Sequence, residues 1–100
     1  MAVVVIGSFR FPPGEMPKVR QHLQSLAEAT RNLDGCIAYD VAEDLFDSGL
    51  VRFSEIWPDR ASLDRHLEAP HIAPWRAFCA EIGVLDRRFT TFDAEESGTV

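Results

Sequence analysis

The chain predicts an α+β domain in which a four-stranded antiparallel sheet carries helices on one face, built in the order β-α-β-β-α-β. Three observations carry this. Runs rich in β-branched and aromatic residues occupy 2–11, 36–45, 50–57 and 85–93. A long stripe of helical period lies between the first two runs, and a second helical region separates the last two. One hundred residues, 46% of them hydrophobic, bury one core of this kind and leave no room for a second.

The first strand ends at Pro12-Pro13-Gly14, where two prolines remove ladder donors and the glycine permits a turn. From Met16 the positions Val19, Leu23, Leu26, Thr30 and Leu33 recur at three and four, with Lys18, Gln21, Ser25, Glu28 and Asn32 opposite. That helix stops at Asp34-Gly35. Ile37, Tyr39 and Val41 share a face of the second strand, as Val51, Phe53 and Trp57 do in the third, and Phe46-Asp47-Ser48-Gly49 turns one into the other. Asp59 N-caps a short helix carrying Leu63 and Leu67, which Pro70 ends. A second helical piece over residues 70–83 places His71, Trp75, Phe78 and Ile82 on one core-facing stripe. The fourth strand contains Phe89 and Phe92, so the domain spans residues 1–94 and 95–100 form a polar tail. This is the ferredoxin-like arrangement. Strand one is apolar on both sides, with Val3, Val5, Phe9 and Phe11 on one and Val4 and Ile6 on the other, while helices cover a single face. A homodimer of sheets packed face to face is therefore expected.

Ten Lys+Arg against sixteen Asp+Glu give 10 − 16 = −6, without a basic cluster, which argues against nucleic acid and anionic membrane as partners. The apolar start at residues 1–8 lacks a basic flank and reads as a strand of a cytoplasmic protein. Cys36 and Cys79 stand alone and read as reduced core residues. The six glycines are dispersed and form no phosphate cradle, and the histidines His22, His66 and His71 lack metal-ligand spacing, so no metal is expected.

Chemistry concentrates between Glu55 and Trp75, where Trp57 and Trp75 accompany His66 and His71. Glu55 is a carboxylate in the apolar row of Val51, Phe53 and Trp57, and a buried carboxylate requires a partner. His66 or His71 from the covering helices is the expected one. Such a pair is either structural or a poised acid and base, with the carboxylate orienting the imidazole. Trp75 and Phe78 are open to the same two readings, core or ligand platform.

The segments Thr30-Arg31, Gly35-Cys36, Tyr39-Asp40-Val41, Phe53-Ser54-Glu55-Ile56-Trp57-Pro58-Asp59, Leu63-Asp64-Arg65-His66-Leu67 and Pro70-His71 resemble, in order and spacing, the antibiotic biosynthesis monooxygenase family. The resemblance implies a ferredoxin-like protomer pairing into a dimeric α/β barrel with a cavity between sheet and helices. It further implies a monooxygenase acting without metal, flavin or other cofactor on a small phenolic, quinol or anthrone-like aromatic with O₂. In that frame His66 is the base, Glu55 its orienter and His71 a second proton carrier, all catalytic. Trp57, Tyr39, Phe53 and Trp75 then line the substrate site. A non-catalytic dimeric binding or scaffold protein of the same fold is the alternative.

Overall fold

The computed structural model describes all 100 residues. Strand β1 (Ala2–Arg10) leads through a short 3-10 turn (Pro13–Glu15) into helix α1 (Met16–Leu33). Strands β2 (Ala38–Glu43) and β3 (Leu50–Trp57) follow, then helices α2 (Arg60–Leu67) and α3 (Ile72–Ile82), and strand β4 (Asp86–Ala94). The sheet order is β2-β3-β1-β4 with every neighbouring pair antiparallel, the expected α+β, ferredoxin-like fold. No helix is long and apolar enough to cross a membrane.

Strand alternation decides what each face carries. On the helix-covered side, Val3, Val5 and Phe9 of β1 and Val51, Phe53, Glu55 and Trp57 of β3 are buried. The α1 stripe Met16, Val19, Leu23, Leu26 and Thr30 closes over them. Gly7 pairs with both Phe53 and Phe89, and a Cβ added there would stand 2.3 Å from the Phe89 ring. The missing side chain thus lets Phe89 fold over the inner face of the sheet.

The expected elements differ from the observed ones mainly at their ends. Strand β2 begins two residues later and ends two earlier than the alternating pattern, and Leu33 and Leu67, assigned to apolar stripes, are exposed because each lies at the last residue of its helix. Phe92 points away from the core, three positions from inward-facing Phe89, since residues an odd number apart face opposite sides. The uncovered sheet face presents Ile6 and Phe92 at 50% and 52% exposure beside half-buried Val4, Ala38 and Ile56. Both cysteines are free thiols packed against the core.

Candidate active site

Between the sheet and helices α2 and α3 lies a cavity of about 170 Å³. Its walls are mainly aromatic and aliphatic. Phe9, Phe53, Phe89 and Trp75 form one cluster with ring centroids 5.3–5.6 Å apart where they meet, in tilted and edge-on arrangements. Tyr39, Glu55, His66 and Thr91 are polar residues of the lining. Three arginines, Arg60, Arg76 and Arg87, complete the lining.

His66 reaches the cavity because α2 is fixed at its start by Asp59, whose Oδ1 accepts from the Ser62 backbone N–H at 2.8 Å. The buried ring stands 4.7 Å from the Trp57 indole and 5.5 Å from the Tyr39 ring. Its Nδ1 donates to Asp34 Oδ2 at 2.6 Å. His71 Nε2 donates to the same oxygen at 2.8 Å and also approaches Thr30 Oγ1 at 3.4 Å. One buried carboxylate therefore anchors two imidazoles and ties the end of α1 to α2 and to the start of α3. With Nδ1 so occupied, Nε2 of His66 is the ring nitrogen without a protein partner.

Burial lowers the His66 pKa below its ordinary value against the opposing hydrogen bond and charge of Asp34. Neutral imidazole with its proton on Nδ1 is the state this environment favours. Burial likewise raises the Glu55 carboxyl, with the Trp57 hydrogen bond opposing, and raises the Tyr39 phenol. The Cys79 thiol is pushed up to about 11 by burial and Cys36 is raised for the same reason, so neither supplies a thiolate near neutrality.

Several expectations for the site require correction. Glu55 does not orient a histidine: its Oε1 accepts from Trp57 Nε1 at 2.9 Å, two residues along the same strand face. Asp34 holds that role instead. Trp57 does not wall the cavity, because it sits fully buried behind His66 at the end of β3. His71 lies behind Asp34 and outside the lining. Tyr39, Phe53 and Trp75 do line it. The third imidazole, His22, is stacked on Phe78 at 3.7 Å, away from the cavity.

A profile of the antibiotic biosynthesis monooxygenase family matches residues 2–77, three-quarters of the chain and every element named above except the last part of α3 and β4. The chain belongs to the antibiotic biosynthesis monooxygenase family. Among its relatives, Rv0793 of Mycobacterium tuberculosis is 35% identical over 80 residues, which is 80% of this chain and 78% of that protein. The Rv0793 structure superposes with a TM-score of 0.85 over 99% of this chain and all of the other. A Deinococcus radiodurans protein of known structure matches at a TM-score of 0.90 and 28% identity, covering 98% of this family member and 97% of its own chain. A Synechocystis protein, sll1783, is 32% identical over 69 residues, but this chain spans only 47% of its length.

Asp34 is the site residue that sequence reasoning missed. Its signal was a helix-terminating Asp-Gly pair, which also has a purely local explanation: Asp34 caps α1, with its N–H on Thr30 O at 3.1 Å, and Gly35 takes the left-handed φ of +74° that turns the chain.

Proposed function

We propose that this protein is a monooxygenase that oxidises a small, single-ring phenol or quinol with O₂ and needs no bound cofactor. The observation that carries the reading is His66. It is the imidazole in the lining of an otherwise largely apolar cavity, and its Nδ1 is committed to a buried carboxylate while Nε2 is left free.

Such a base serves an electron-rich phenol well. Nε2 takes the phenolic proton, and Asp34 stabilises the resulting imidazolium and keeps the ring oriented. The phenolate then gives one electron to O₂, the two radicals combine as a carbon-bound peroxide, and the proton from His66 is returned to it. Loss of the ring C–H and cleavage of the O–O bond leave one oxygen as a quinone carbonyl and release the other in water. The substrate is oxidised, O₂ is reduced, and the imidazole returns neutral. The apolar residues of the lining favour O₂ beside the ring. A cavity of about 150 Å³ holds benzene, so the 170 Å³ here accommodates one substituted ring.

In this reading Asp34 is the positioning residue, His71 braces its carboxylate, and Glu55 holds Trp57 as the backing for His66. Oxygen-electrode measurements with hydroquinones should show O₂ consumption without added cofactor. Substituting His66→Ala should lower it at least about tenfold, within the usual worth of a general base. An unchanged rate in that variant rejects His66 as the base, and no turnover over a phenol panel leaves the non-catalytic binding protein in its place. The apolar row on the uncovered sheet face further supports a homodimer joined through that face.

A further inference from the structure

We infer that Arg60, Arg76 and Arg87 form an anion subsite at the cavity, so that the ligand is an aromatic ring bearing a carboxylate or comparable acidic substituent. The inference rests on the reading of the cavity as an aromatic-binding site.

The chain is acidic overall, yet its cavity is not. Glu55 is the one acidic residue in the lining, against three arginines. These three come from different elements, Arg60 from the start of α2, Arg76 from α3 and Arg87 from β4, so no single helix stripe explains their presence in one lining. Arg87 is brought to the inner side of the sheet by its pairing with Phe9.

Arg76 and Arg87 lack the carboxylate partner that five of the six arginines outside the lining have; Arg65, which bonds only Ser62 Oγ, is the sixth, and Arg60 is paired with Asp64. Arg10, Arg20, Arg31, Arg52 and Arg88 each have a carboxylate oxygen within 3.5 Å. At the cavity, Arg76 donates from Nη2 to the Leu67 carbonyl at 2.8 Å and has no carboxylate. Arg87 has neither a hydrogen bond nor an ion pair; its guanidinium stands 4.5 Å from the centroid of Phe89 and 5.7 Å from that of Phe9. Arg60 reaches Asp64 at 3.4 Å and Thr91 Oγ1 at 3.3 Å. A guanidinium offers five N–H donors in a fork suited to a carboxylate. Most of those donors here are uncommitted. The stacking of Arg87 on Phe89 holds one fork against the aromatic cluster where the ring of a ligand would lie.

The test compares two ligands of one shape by isothermal titration calorimetry: 2,5-dihydroxybenzoate, an anion at neutral pH, and neutral 2,5-dihydroxybenzamide. The acid should bind wild-type protein about tenfold or more tightly than the amide, the worth of one charge-assisted hydrogen bond. That preference should shrink as ionic strength rises from about 0.01 M to about 1 M, where screening shortens from roughly 30 Å to roughly 3 Å. It should be lost in the Arg76→Gln/Arg87→Gln double variant. Arg87→Lys, which keeps the charge, should retain part of it, and Arg52→Gln/Arg88→Gln, an equal change of net charge on two residues outside the lining, should leave it unaltered. Equal binding of acid and amide, or a preference that survives the substitution of Arg76 and Arg87, overturns the anion subsite while leaving the aromatic cavity intact. Binding of neither compound overturns both.

Discussion

Asp34 shows how one side chain can serve the chain locally and the site globally. Removing its carboxylate in Asp34→Ala deprives His66 and His71 of their shared acceptor, and the fold should lose about 1–3 kcal/mol in urea titrations. The same change should abolish the Nδ1–H tautomer of His66 in nitrogen-15 spectra, whereas wild type shows it at neutral pH. Because burial lowers the His66 pKa, the unfolded chain binds that proton more readily than the fold does. Its contribution to stability is therefore complete above the ordinary value near pH 6.5 and is lost as the pH falls below it. Melting temperatures followed from about pH 7.5 to about pH 5.5 should decline less steeply in His66→Gln than in wild type. Glu55 has the opposite sign. Its raised pKa means that ionisation is resisted in the fold, so its favourable contribution belongs to low pH and is lost as the pH rises through the folded value. Glu55→Gln keeps an acceptor for Trp57 and removes the buried charge; at neutral pH it should melt no lower than wild type, and a marked loss there would show that the charge itself is required.

Among the elements, α1, α2 and α3 bring Asp34, His66 and His71 together, and the strands supply the surface against which they close. Most of this was legible. The 3.6-residue stripe marked α1, the Asp59 cap marked the start of α2, and alternation placed Val51, Phe53, Glu55 and Trp57 on one face of β3. The limits of periodicity appeared at ends, as with Leu33 and Leu67, where a helix leaves the layer it packs on. Periodicity also says nothing of a pairing such as Gly7 with Phe89, which depends on strand order. Gly7→Ala forces the Phe89 ring off the sheet and should cost about 1–3 kcal/mol as an overpacked core does. A chemical-denaturation midpoint unchanged from wild type would mean that the ring is free to move aside.

For the molecule as a whole, the unshared feature is the second face of the sheet. Ile6 and Phe92 lie exposed beside Val4, Ala38 and Ile56, an apolar row without helix cover. Sedimentation velocity at micromolar concentration should find a dimer, and a charge placed in the row by Phe92→Glu should shift it to monomer; a wild-type monomer would refute pairing through this face. What the sequence determined by itself is the order of elements, the face each apolar residue takes and the residues from which a site could be made, because those follow from local period and turn chemistry. Tertiary structure alone chose among them. Glu55 lay nearer in sequence to the histidines, but strand geometry gave its carboxylate to Trp57. The helices brought in Asp34, 32 residues from His66 and 37 from His71, because the end of α1 packs where α2 passes and α3 begins.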